Sequence, residues 1–261
     1  MARSSKIPGL LAALLTILLL APAPATARAV VRVGGYEFPP FVDIKPDAPP
    51  TGLTLDLIAA LNHAQDQVEF RFVPTSARRR YADLMAGRFD AMFFEEPEWD
   101  WRAKGYPVDF TDVFLTGAEV FIAQARPGRG QDYFASLKGK SLAATLGYHY
   151  AFAGFDADPA HLATAFDIKL VNTPVSCIDM VLAGRVDIAI VTDALLWAYL
   201  HHTPAARGRL LVADTPDQVY NHRILVRRGA AVDVASLNRW LAALKRDGRL
   251  DALWRRAGVV R

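Results

Sequence analysis

The chain has 261 residues, 52% of them hydrophobic, with 30 basic and 27 acidic side chains. That is enough for one large domain or two small ones with cores of their own. The basic excess lies within the first 29 residues, where Arg3, Lys6 and Arg28 have no acidic counterpart, so the remainder carries 27 of each sign. Such a balance leaves no electrostatic footprint for nucleic acid, and a single cysteine, Cys177, excludes an internal disulfide.

The first segment combines a positive start, an apolar run from Leu10 to Leu20, and small residues with prolines at 22 and 24. This is the three-part layout of a secretory leader over residues 1–29, cut after Ala27 or Ala29. The apolar run is well short of the roughly 20 residues a bilayer-spanning helix needs. A periplasmic location is expected, and no cysteine near the cut suggests a lipid anchor.

Beyond the leader, short β-rich runs alternate with helical periods. Val30–Val33 reads as a strand ended by Gly34-Gly35, and Leu55, Leu57, Ile58 and Leu61 mark one helix face. Val68–Val73 alternates as a strand does, a helix around Tyr81–Ala86 follows, and Ala91–Phe94 is an apolar strand. The pattern restarts after about residue 115. Strands are expected at Ser141–Thr145, Leu170-Val171 and Ile188–Val191, with helices opened by Gly147, running through Leu182, and from Asp193 to about Leu200. Cys177 falls on the apolar period of the middle helix and is expected to be a core thiol. Val234, Leu237, Trp240, Leu241 and Leu244 outline a final amphipathic helix, with Asp233 as N-cap and Gly248 after its last turn. Alternating strand and helix predicts an α/β protein with largely parallel sheets, whose ligands sit at the carboxyl ends of strands. The chain carries no metal-ligand spacing, nucleophile elbow or Gly-rich phosphate loop. No cofactor, metal or catalytic residue is expected. His201 and His202 are adjacent, so they face different sides of a helix.

Several segments, in order and at matching spacing, resemble the family 3 periplasmic solute-binding proteins that serve polar amino-acid transporters. They are Val31-Arg32-Val33-Gly34, Phe38-Pro39-Pro40-Phe41, Gly52–Leu57, Gly87–Ala91, Asp109–Asp112, Leu137–Lys140 and Ala183–Asp187. The resemblance spans nearly the whole chain after the leader. It implies a two-lobed periplasmic-binding-protein fold of type II, with two hinge crossings and a ligand cleft between lobes. Lobe 1 would comprise 30–114 plus 219–261, and lobe 2 residues 115–218.

The same resemblance suggests site residues. Arg102 falls where the family clamps a ligand carboxylate, a task suited to the planar guanidinium fork; the alternative is a solvated loop arginine. Phe38 matches a position that stacks on the ligand, with Tyr36 beside it. The loop Glu95–Trp101 departs from the family pattern. Glu95 there could meet a cationic ligand group, and Trp99 and Trp101 could add aromatic walls. Gly147-Tyr148-His149 replaces the family's Gly-Thr-Thr at a helix start. Either Thr192 or Asp193 falls at the family's ammonium-binding aspartate, and Asp193 would equally serve as an N-cap. The run Arg78-Arg79-Arg80 is expected to be a solvated face, with one arginine reaching an acidic ligand group as the alternative. The implied function is the substrate-binding component of an ABC-type importer: a monomer that takes an amino-acid-like solute by hinge closure and docks on membrane permease subunits. A dehydratase-like enzyme on this fold, and a sensor that feeds a membrane receptor, are the alternatives.

Overall fold

The computed structural model describes residues 28–259. The leader expected at 1–29 therefore lies outside them, except for its last two residues. No helix among the described residues is long and apolar enough to cross a membrane.

The first half begins with β1 (Ala29–Gly35), α1 (Leu53–Ala64), β2 (Val68–Pro74), α2 (Arg80–Met85), β3 (Ala91–Glu95) and β4 (Val108–Phe110). β1 lies between β2 and β3, parallel to both. Its inner residues Val31 and Val33 are fully buried with Leu57, Leu61 and Leu84 from the covering helices. Side chains of this size each contribute about 2 kcal/mol on burial. The second half holds β5 (Leu115–Gln124), β6 (Leu142–Thr145), α3 (Pro159–Ala165), β7 (Ile168–Val171), α4 (Pro174–Leu182), β8 (Ile188–Thr192), α5 (Asp193–His202) and β9 (Leu210–Val212). β6 runs parallel to β7 and β8. Then come β10 (Gln218–Arg227), α6 (Val234–Arg246) and α7 (Arg249–Arg256).

Two long strands turn these pieces into one mixed sheet, in place of the largely parallel one expected. β5 is antiparallel to β8 and β9. β10 pairs with β5 over Gln218–His222, then with β3 and β4 over Arg223–Arg227, in both cases antiparallel. One strand thus serves two halves of the molecule, and the handover falls at the fully buried His222.

Local chemistry explains the helix ends. The Asp233 carboxylate accepts from the Ser236 N–H at 2.7 Å as the N-cap of α6, and Asp158 caps α3 in the same way. For α5 the N-cap is Thr192, whose hydroxyl accepts from Leu195 N–H at 3.1 Å; Asp193 is the first helical residue. No α-helix opens at Gly147. A turn there leads into a single 3-10 turn at Ala151–Ala153. Cys177 is fully buried, as its helical phase predicts.

Asp90, just before β3, ties three strands together. One oxygen accepts from the Arg32 backbone N–H and Nε, each at 3.0 Å, and the other accepts from Arg227 Nη2 at 2.6 Å. Burial raises this carboxyl, but the bonds from Arg32 and Arg227 outweigh it and hold it below its ordinary value of 3.8. Its contribution is therefore intact above that value and lost as pH falls through the lower folded one. Asp90→Ala is expected to lower unfolding stability by about 2 kcal/mol, less than for a fully buried pair because both arginines are partly exposed. Urea titrations at neutral pH would show the loss as a lower midpoint at unchanged slope.

Candidate functional site

The carboxyl ends of the strands meet where β5 and β10 cross, and the loops there close over a buried polar core. Gly34 and Gly35 end β1 against close neighbours: a Cβ on Gly34 would lie 2.7 Å from the Phe89 ring. The chain then turns Tyr36 and Phe38 inward, with ring centroids 5.8 Å apart and nearly parallel. β3 ends in an irregular turn. Phe94 is left-handed (φ 60), and both it and Glu95 are fully buried. The loop beyond brings Trp99 edge-on to Phe38 at 6.0 Å and buries Trp101, whose indole N–H donates to Glu95 Oε2 at 2.6 Å.

At the centre of the core is Arg80, 1% exposed, at the start of α2. It is the one member of the 78–80 run that is not a solvated face. Its guanidinium lies over the rings of Tyr36 (4.8 Å) and Tyr81 (4.6 Å), and its Nε is 3.7 Å from Glu95 Oε2. Nη1 donates to the carbonyl of Ala77 at 2.7 Å, and more weakly to that of Gly147 at 3.4 Å. Burial opposes the charge, but the surrounding phenols and Glu95 outweigh it, so the group stays a cation. Glu95 is raised by burial, and Arg80 and the Trp101 indole limit the rise.

Residues after β6 meet this group from the other half. Gly147 is left-handed (φ 83), and a Cβ there would lie 2.8 Å from Arg78 Cγ, so the turn can pass this close only as glycine. The Tyr148 hydroxyl donates to the Glu37 carbonyl at 2.7 Å. Arg80 Nη2 lies 3.3 Å from His149 Nδ1. A guanidinium has only donors, so Nδ1 accepts and the ring proton sits on Nε2, 3.2 Å from Asp100 Oδ2. Burial, then the charge of Arg80, pushes His149 down to about 4 against the opposing pull of Asp100. Gln218 of β10 spans both halves, accepting from the Trp99 indole at 3.3 Å and donating to the His149 carbonyl.

Tyr36, Phe38, Arg80, Trp99, Glu119, Tyr148 and His149 enclose a space of about 10 Å³, room for about one water. Two open grooves flank it. One of about 670 Å³ runs along Arg78, Asp100 and Lys104, and the other, of about 430 Å³, along Glu37, Thr75 and Asn172.

The structure thus brings together Tyr36, Phe38, Tyr148 and His149 of the residues proposed from sequence. Glu95 and Trp101 stand behind Arg80, and Gly147 supplies a carbonyl to it. Arg102 is not in this core; its side chain is 63% exposed and pairs with Glu98 on the surface at 3.1 Å. Thr192 is occupied as a cap, and Asp193 Oδ1 accepts from the N–H groups of Ala194 (2.7 Å) and Ala118 (3.4 Å). Sequence reasoning missed Glu119 and Gln218. The one signal for Glu119 was a lone acid in an otherwise apolar strand, Leu115–Ala123.

A family model for bacterial extracellular solute-binding proteins, family 3, matches residues 31–258. The chain belongs to this family. No curated protein matches it. Among solved structures it is similar to a putative ABC-transporter binding component from Wolinella succinogenes complexed with lysine, at 21% identity and TM-score 0.67 over 88% of this chain and 95% of that one. It is similar to an ancestral amino-acid-binding protein, a precursor of cyclohexadienyl dehydratase, at 22% identity and TM-score 0.65 over 87% and 95%. It is also similar to a histidine kinase sensor domain, at 20% identity and TM-score 0.67 over 88% and 96%. At such identities these likenesses establish the fold, which is the type II periplasmic-binding one.

The state of His149 has a measurable consequence. Because its folded value lies below the ordinary 6.5, the unfolded chain takes up the proton first as pH falls. Stability is full above about 6.5 and declines toward 4, by up to about 3 kcal/mol. His222, pushed by burial to about 3, adds a slope of the same sign. NMR of the imidazole carbons should place the His149 midpoint near 4, and His149→Gln should flatten the stability profile between pH 6.5 and 4 by about half.

Proposed function

We propose that the protein is the substrate-binding component of an ABC-type importer, exported to the periplasm, which captures a small polar, amino-acid-like solute by closing two lobes. The lobes are 30–114 with 219–261, and 115–218, hinged where β5 and β10 cross. One observation carries the reading: the buried cation Arg80 is completed by Gly147 and His149 from the other lobe, so core and closure form together. A ligand that touches both lobes only when they are shut shifts the population toward the closed form. With only about 10 Å³ enclosed, Tyr148 and His149 must move aside to admit a solute, and the two grooves are its approaches.

The likeness to amino-acid-binding structures supports the solute class, and the family supports capture outside the cytoplasm. Nothing favours the dehydratase alternative. Glu95 Oε2 accepts from Trp101 and faces Arg80, while its Oε1 has no hydrogen-bond partner among the described residues. His149 is held by Arg80 and Asp100, so the two do not stand together as a free acid and base. The sensor alternative needs a membrane receptor to receive the closed form, and gene neighbours encoding permease and ATPase subunits would favour transport over it.

Calorimetry and thermal unfolding against polar amino acids and simple amines would test the proposal. A binding solute at 100 times its Kd should add about 2.7 kcal/mol of stability, and small-angle scattering should report a more compact particle. Absence of binding to every one of them at millimolar concentration would overturn it.

A further inference from the structure

One carboxyl bordering the enclosed space has no hydrogen-bond or ion-pair partner among the described residues. Glu119 lies mid-strand in β5, its backbone paired with Gln218 of β10 and Thr192 of β8, and the residue is 2% exposed. Its side chain makes no hydrogen bond or ion pair with any described residue. An unpartnered polar group this deep is costly unless something meets it. The one cation lining the same space, Arg80, is committed to Glu95 and to three acceptors. The acids behind Glu119 are occupied as well: Asp217 accepts from the N–H groups of Ala151 and Phe152, each at 2.8 Å, and Asp193 from those of Ala118 and Ala194.

The other walls are aromatic. Phe38 lies 5.5 Å from the Tyr148 ring and 6.0 Å from that of Trp99, steeply inclined to both, with Tyr36 stacked behind it. An open carboxylate among aromatic faces suits an organic ammonium group, since the rings attract the cation and the carboxylate accepts its N–H bonds.

We infer that Glu119, on the hinge strand, receives the ammonium group of the ligand, with Phe38, Trp99 and Tyr148 as the walls of that subsite. This rests on the solute-binding reading above and moves the cation-binding role from the Thr192–Asp193 helix start to the hinge. Burial first, then Asp217 and Asp193, holds the free Glu119 carboxyl well above its ordinary range. Arg80, His149, Tyr36 and Tyr148 face it across the space, and Tyr150, Tyr220 and Cys177 stand close by. Binding then exchanges one cation for another: the carboxyl O–H breaks, its proton passes to solvent, and the carboxylate pairs with the ammonium. Affinity rises with pH until the free carboxyl itself titrates.

The test is calorimetry at pH 7 in phosphate and in Tris, with glycine, ethanolamine, L-lysine and L-arginine as ammonium probes and acetate as the probe lacking one. At least one ammonium probe should bind with release of up to about one proton, read from the buffer dependence of the heat, and acetate should not bind. The near-isosteric Glu119→Gln should weaken that probe at least about tenfold and abolish the proton release. Glu119→Leu should do the same, and near-UV circular dichroism would verify that both variants are folded. Wild-type binding that is independent of buffer, acetate binding equal to that of glycine, or a Gln variant matching wild type would overturn the Glu119 assignment and leave solute binding intact. Silence of the wild type toward every ammonium probe would overturn the Glu119 assignment, and silence toward all polar amino acids would overturn solute binding with it.

Discussion

The antiparallel pairing of β5 with β10 is the constraint on which the rest of the structure depends. Because β10 completes both halves of the sheet, neither half can place its edge without the other. The handover also has to be buried, since unpaired strand edges are exposed to wrong partners. Side chains at the crossing are therefore forced inward. Glu119, Gln218 and His222 are all buried there, and each is polar. Strand alternation sets which residues face the enclosed space, so the strands that join the two halves also form its floor.

Above that floor, the core is held by directed polar contacts set among rings. Arg80 is a cation buried at 1% exposure, tolerable only because Glu95, two phenol faces and three acceptors surround it. Its presence fixes the tautomer of His149, and that in turn directs the imidazole N–H to Asp100. Each member orients the next, and the chain runs from one half of the molecule to the other. Hydrophobic contact alone would let the halves slide. Directed hydrogen bonds are made in few arrangements, so they fix how the two halves sit against each other here.

How much of this was legible depended on sequence distance. Strands such as Val68–Val73 and helices such as Val234–Arg246 announce themselves through period and caps, because their burial pattern is local. The wall residues Tyr36, Phe38, Tyr148 and His149 were legible as well, since each sits in a loop at the end of a recognisable strand. The arginine was misplaced. Arg102 matches by counting, yet the loop 95–101 contains a left-handed Asp100 (φ 63) and a buried Trp101, and these turn Arg102 out to pair with Glu98. Arg80 sat in a triplet of like charges that reads as solvated, and only the three-dimensional neighbourhood of Glu95, Tyr36 and Tyr81 explains why one of the three goes inside.

By itself, then, the sequence determined the family, the parallel strands and most of the helices, and the loops that line the enclosed space, because those follow from hydrophobic period, turn chemistry and ordered local segments. Tertiary structure alone decided which charges lie within. Glu119 meets the cleft only because β10 arrives from a hundred residues away to pair beside it, and Arg80 is buried only because partners from four separate segments converge on it. Burial of a charge depends on the sum of its spatial neighbours, and no local pattern in the chain encodes that sum.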